Sequence, residues 1–129
     1  MIQIRQGVDL VEISKFREIV QRHNHFISDI FTERERAYCE SMKDPYPHLA
    51  GRFAAKESYL KALGTGISGS GIDCIFQNIE VISTASGRPE VSVSGWAEKM
   101  AKKRKITQCS LSISHTLHYA VATVILIGN

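Results

Sequence analysis

The chain has 129 residues, 43% hydrophobic and 22% charged, which is ordinary for a globular protein and sets the expectation of one domain over residues 1–129. Its net charge of +3 favours acidic partners or phosphates without requiring nucleic acid. The three cysteines, Cys39, Cys74 and Cys109, are odd in number, widely spaced and without CxxC pairing, which argues against a disulfide framework or a zinc site and points to a reducing, cytoplasmic setting.

Near the N-terminus Arg5, Asp9 and Glu12 interrupt any apolar run, so no secretory signal is expected. Ile2 and Ile4 alternate, and GVDLVEI (7–13) continues as a β-branched strand. From Ser14 the period changes: Phe16, Ile19 and Val20 share a helical face that ends near His23 and Asn24. A second helix is predicted from Thr32, where Thr-Glu-Arg-Glu places Glu35 at the capping-box position. Pro45 and Pro47 break the chain and open a third helix running to Leu63, with Gly64 as its stop. The stretch GTGISGSG (64–71) reads as a flexible, hydroxyl-bearing loop. Residues 76–83 read as a strand, SGRP (86–89) as a turn and EVSVS (90–94) as a second strand. A short basic helix covers 96–105. CSLSIS and HYAVATVILI close the chain as a hairpin joined at 114–116; YAVATVILIG is too short to span a bilayer and reads as a buried strand, so no membrane partner is expected. Helices come early and strands mostly late, which predicts an α+β fold with a mostly antiparallel sheet packed against helices.

The third helix carries the informative pattern, GRFAAKESYLKALGTG (51–66). At about 100° per residue, Arg52, Lys56, Tyr59 and Leu63 form one stripe, and Phe53, Glu57, Leu60 and Gly64 another. Lys56 and Arg52 fall inside a broad apolar arc; Glu57 sits at its edge with Lys61 at i+4 and small Ala54 and Ser58 beside it. A plain surface explanation is a Glu57–Lys61 pair worth about 0.3–0.5 kcal/mol with long cationic stems covering the core. The alternative is a pocket for something anionic, built from Arg52, Lys56 and Lys61 and the glycine-rich loop that follows. That loop is no Walker motif: it follows its helix, where the dipole end is negative and repels phosphate, so lysines or a metal must supply the positive charge. The same glycines equally suit a mobile connection.

Asp9 interrupts an apolar strand, where a carboxylate is disfavoured. Alternation would point it to solvent opposite Val8 and Leu10, yet its own-face neighbours are Gly7 and Val11. Mg²⁺ held by Asp9 and Glu57, with water and a substrate phosphate completing the octahedron, would resolve this, although spacing alone does not bring the two together. His115 is placed in the hairpin turn between hydroxyl residues, either as an exposed turn histidine or as a group that donates to a phosphate or orients a base.

Four segments in register, GVDLVEI, AGRFAAKESYLKALGTG, SGRP and SISHTLHYAVA, resemble the holo-[acyl-carrier-protein] synthase family of 4′-phosphopantetheinyl transferases. The resemblance spans the chain and implies that the 4′-phosphopantetheine arm of coenzyme A moves to a serine hydroxyl of an apo acyl carrier protein, releasing adenosine 3′,5′-bisphosphate. It implies Asp9 and Glu57 as Mg²⁺ ligands, Lys61 on the pyrophosphate, and Arg52 and His115 on the nucleotide's phosphates. Gly64, Gly66 and Thr116 fall in the same motifs, and Arg88 and Pro89 lie where the family holds the adenosine. Glu57 or a metal-linked water is left as acceptor of the serine proton. Members of this size are similar in forming homotrimers with coenzyme A between subunits. The carrier-binding positions are Lys15 and Arg22 on the first helix; many members carry arginine where this chain has Lys15, which lacks the bidentate fork. Two other readings use the same residues: a Mg²⁺-dependent coenzyme A or nucleotide pyrophosphatase, and a non-enzymatic anion-binding module. The KKRK run (102–105) complements its own helix dipole more simply than it binds nucleic acid.

Overall fold

In the computed structural model, which describes residues 1–64 and 75–129, the chain is arranged around its long helix. The order is β1 (Gln3–Glu12), α1 (Ile13–Arg22), α2 (Phe26–Ile30), α3 (Glu33–Glu40), α4 (Pro45–Leu63), β2 (Ile79–Ser83), β3 (Pro89–Val93), α5 (Gly95–Lys103), β4 (Ile106–His115) and β5 (Tyr119–Gly128). The strands form a three-stranded antiparallel sheet, β1-β5-β4, and a separate β2-β3 hairpin. The predicted α+β class with antiparallel pairing holds.

Helix α4 forms where its ends are well specified. Asp44 accepts a hydrogen bond from the Tyr46 backbone N–H at 3.1 Å, Pro45 fits the first turn, where its missing N–H costs nothing, and Gly64 closes the helix at φ 75°, a conformation that glycine adopts without a Cβ penalty. Two cores flank α4: Leu60, Leu63, Ile79, Val124 and Leu126 on the sheet side, and Ile13, Phe16, Phe31 and Leu49 beneath α1 to α3. Each such buried side chain contributes about 1.5–3 kcal/mol. Small residues let α4 approach β1 closely. A Cβ on Gly7 would stand 2.0 Å from the Ser58 carbonyl oxygen and 2.9 Å from the Ala62 nitrogen, so no side chain fits there.

Along β1, Gly7 and Asp9 face α4 while Ile4, Val8 and Leu10 point away and stay exposed. The central strand β5 alternates likewise: Ala120, Ala122, Val124 and Leu126 are buried and Ile125 is exposed. The outer face of β1 and β5 is therefore open and largely apolar, while β4 presents Ser110, Ser112 and Ser114.

The capping box is present as predicted: the Thr32 hydroxyl accepts the Glu35 N–H at 3.2 Å, and the Glu35 carboxylate accepts the Thr32 N–H at 2.9 Å. The basic helix ends with Lys102 and Lys103 in its last turn, as a dipole complement should. Three expectations change. A short helix, α2, was not anticipated, because five residues are too few to show a period. The strand expected from Phe76 begins only at Ile79: the Phe76 carbonyl accepts from Lys56 and from the Ile79 N–H at 3.2 Å, a turn that keeps residues 76–78 out of sheet pairing. Ser114 and His115 belong to β4, so the hairpin turn lies at residues 116–118 and His115 is a strand terminus. The predicted loop and Gly66 lie outside the described residues apart from Gly64, as does Cys74; Cys39 and Cys109 are free thiols.

Candidate active site

Asp9, Glu57 and Lys61 meet where β1 crosses the C-terminal half of α4. The side chain expected to pair within the helix does not. Lys61 reaches across to β1 instead, donating to Asp9 Oδ1 at 3.0 Å and to the Val8 carbonyl at 3.0 Å. Glu57 is half-buried. Burial pushes its carboxyl above the ordinary value, the Asp9 carboxylate pushes in the same direction, and the Lys61 ammonium partly opposes both. Two carboxylates thus crowd each other beside a single half-exposed ammonium, an arrangement that a divalent cation would relieve. Among the described residues there is no cluster of three or more metal-ligating side chains. A pair fits Mg²⁺, which keeps waters and takes substrate phosphate oxygens.

Lys56 does not join this group. It is fully buried, and its ammonium donates to Glu35 Oε1 at 2.8 Å and to the Phe76 and Ile79 carbonyls at 2.7 Å each. The anionic pocket expected to include Lys56 loses that member: all three of its donors are used internally.

Arg52 is also buried. Its guanidinium lies over the Tyr38 ring at 4.1 Å and donates to Ser83 Oγ at 2.9 Å, while Nε has no partner among the described residues. His48, one turn earlier on α4, sets its ring edge-to-face against His115 at 5.5 Å and against Tyr38 at 6.2 Å. Arg52 and His115 are linked in this way through two residues that the sequence reading missed. The available signal was the i, i+4 spacing of His48 and Arg52.

His115 and Thr116 line a cavity of about 580 Å³ with Ser14, Arg17 and Asp44. The Thr116 hydroxyl accepts the Tyr119 N–H at 3.2 Å, which shapes the hairpin. Arg88 and Pro89 line a different groove, of about 540 Å³, between β3 and β4 with Tyr59 and Leu111. Lys15 is exposed and pairs with Glu12 at 3.5 Å. Arg22, at the end of α1, borders a third depression with Ile19, His23 and Phe26. Gly64 stands at the end of α4 just past Lys61.

Comparison with known proteins adds four findings. A family model for the 4′-phosphopantetheinyl transferase superfamily matches residues 5–124. A holo-[acyl-carrier-protein] synthase from Caldanaerobacter subterraneus subsp. tengcongensis is 42% identical over 127 residues, 98% of this chain and 97% of that protein. Among solved structures, an ACPS–CoA complex from Chronobacterium ammoniagenes matches with a TM-score of 0.85 at 33% identity, covering 98% of each chain. A Bacillus anthracis holo-(acyl-carrier-protein) synthase in complex with CoA (3′,5′-ADP) matches with a TM-score of 0.78 at 33% identity, covering 100% of both chains.

Proposed function

The chain belongs to the 4′-phosphopantetheinyl transferase superfamily, and from that premise we propose how its site works. The reaction is that of the relatives' name: the 4′-phosphopantetheine arm of coenzyme A passes to a serine hydroxyl of an apo acyl carrier protein. The serine oxygen forms a bond to the β-phosphorus, the bond from that phosphorus to the bridging oxygen breaks, and adenosine 3′,5′-bisphosphate leaves. The observation that carries this reading is the convergence of Asp9, Glu57 and Lys61 on one side of α4.

Transfer of this kind is mostly positioning and charge stabilisation. The Lys61 ammonium, aimed by Asp9 and the Val8 carbonyl, meets the pyrophosphate oxygens as negative charge builds on them. Asp9 and Glu57 would hold Mg²⁺, which supplies further charge neutralisation when bound. The serine proton goes to Glu57 or to a metal-linked water beside it. Arg52 and His115 bind the nucleotide's phosphates, and Arg88, Pro89 and Thr116 contact the adenosine end, with Gly64 bordering the site.

Residues 1–129 act as one domain and assemble as a homotrimer. The open apolar sheet face supports this: Ile4, Val8 and Leu10 are 71%, 52% and 63% exposed, a patch of the kind that marks an interface. So does the separation of the Arg88 groove from the Asp9–Glu57–Lys61 group, since a neighbouring subunit would bring the two together. Lys15 and Arg22 offer the carrier a basic face on α1, and the enzyme works in the cytoplasm, where free thiols such as Cys39 persist.

Intact-mass spectrometry of an apo carrier protein incubated with this protein, coenzyme A and Mg²⁺ tests the reading. The expected result is a gain of one phosphopantetheine arm that EDTA abolishes. Coenzyme A cleaved with the carrier unmodified would make the protein a pyrophosphatase instead.

A further inference from the structure

We propose that His48 is a further phosphate-binding residue, the imidazole that takes up a proton when the phosphate monoester of coenzyme A docks against Arg52 and His115. The inference rests on the assignment of those two residues to the nucleotide's phosphates and adds a residue and a pH dependence to it.

Position is the first ground. His48 and Arg52 are one turn apart on the same face of α4, and the His48 ring meets His115 from β4 at 5.5 Å and Tyr38 from α3 at 6.2 Å. Tyr38 also carries the Arg52 guanidinium at 4.1 Å, so four side chains from three elements form one connected group. The second ground is an unmet donor. Arg52 is 5% exposed, yet its Nε has no acceptor among the described residues. A buried N–H left unpaired is destabilising, and an anion beside Arg52 would supply the missing acceptor.

Charge is the third ground. The groups acting on His48 are Tyr38 from α3, His115 from β4, Arg52 from α4 itself and Asp44 at the helix N-cap. Asp44 is engaged already, accepting the Tyr46 N–H at 3.1 Å and lying 3.5 Å from Arg17. Burial, then His115, then Arg52 hold the His48 pKa below the ordinary imidazole value, with Asp44 opposing. In the free protein His48 is therefore neutral near pH 7. A phosphate placed among these groups reverses the balance and draws a proton onto the ring.

The phosphate concerned is the monoester. The pyrophosphate holds the scissile bond and belongs at Lys61 and Glu57, and Arg52 lies about 7.5 Å along the helix axis from Glu57. A phosphate monoester also carries the higher charge, with a second ionisation near pH 6. Coenzyme A affinity should then be greatest between the second ionisation of the phosphate, near pH 6, and the pKa of the ligand-bound His48, and fall as the pH rises through the latter.

The test is calorimetric titration of the full-length protein, with Mg²⁺ present, by coenzyme A and by 3′-dephospho-coenzyme A. Titrations run at pH 7 and pH 9, where the monoester is mainly dianionic, in buffers of different ionisation enthalpy. The expected result is proton uptake for coenzyme A alone at pH 7, and a preference for it over the dephospho form about tenfold larger at pH 7 than at pH 9, equivalent to one pKa unit. His48→Phe, which keeps the aromatic edge contacts, should abolish the uptake and flatten the preference; His48→Gln, which keeps a polar group, should abolish the uptake as well. Uptake and pH dependence that survive in both variants would overturn the proposal. Arg52→Met and His115→Ala separate it from its premise. If these two leave the preference for coenzyme A intact, the phosphate assignment itself fails. If they remove it while the His48 variants behave as wild type, only the role of His48 fails.

Discussion

Lys56 and Lys61 stand on the same helix, each paired with a carboxylate from another element, and they do opposite work. Lys56 is sealed in the core: its side chain and that of Glu35 are both 0% exposed. Its three donors are spent on Glu35 and on the Phe76 and Ile79 carbonyls. Glu35 in turn accepts the Thr32 and Val81 N–H groups, so one ion pair ties α3, α4 and the start of the β2-β3 hairpin together. Lys61 is 53% exposed, bonded among the described residues only to Asp9 and the Val8 carbonyl, and keeps donor capacity for something that arrives from solvent. A saturated lysine holds a fold. An unsaturated one, beside a carboxylate whose pKa is raised, is available for chemistry.

The sharpest way to break the contrast is Lys56→Met. It strands a buried carboxylate, so stability should fall by about 3–5 kcal/mol, read as a lower urea midpoint with loss of activity following loss of fold. Replacing Glu35 as well should not restore the protein fully, because the Thr32 and Val81 N–H groups and two carbonyls would lose their partners. A wild-type urea midpoint for Lys56→Met would mean that the buried pair is not structural.

Lys61→Ala should do the reverse. Turnover should drop about 10²–10³-fold, the usual cost of losing a donor to developing charge. Stability should change by no more than about 1 kcal/mol, because the pair is partly exposed and screened. Steady-state kinetics alongside thermal melting reads both, and a large shift in melting with normal turnover would put Lys61 in the same class as Lys56.

A smaller effect comes from Glu57. Its folded pKa is raised, so without metal the folded state holds a proton that the unfolded state has already released, and stability declines as pH rises from the ordinary carboxylate value through the raised one. Metal binding needs the deprotonated form. Mg²⁺ at about a hundred times its Kd should therefore stabilise the protein by about 2.7 kcal/mol at pH 8 and by much less at pH 5. Glu57→Gln should remove the difference. Equal Mg²⁺ stabilisation at both pH values, or its persistence in the variant, would count against Asp9 and Glu57 as the metal pair.

What could be read from the sequence was local. The Pro45 start and Gly64 stop of α4 and the Thr32–Glu35 capping box depend on residues within a few positions of one another, which is the reach of helix periodicity and capping, whereas strand alternation left Asp9 open between solvent and the helix. The motif resemblance also named Asp9, Glu57 and Lys61 without showing that they touch. Tertiary structure decided the partners. Lys61 passes over Glu57, its neighbour at i−4, for Asp9, 52 positions away. Lys56 finds Glu35 at a separation of 21, and β5 inserts between β1 and β4. None of these pairings has a local signature: Lys61 meets Asp9 because Gly7 lets β1 lie directly on α4, and a charged group inside a packed core, as Lys56 is, must take whichever partner the fold brings within reach.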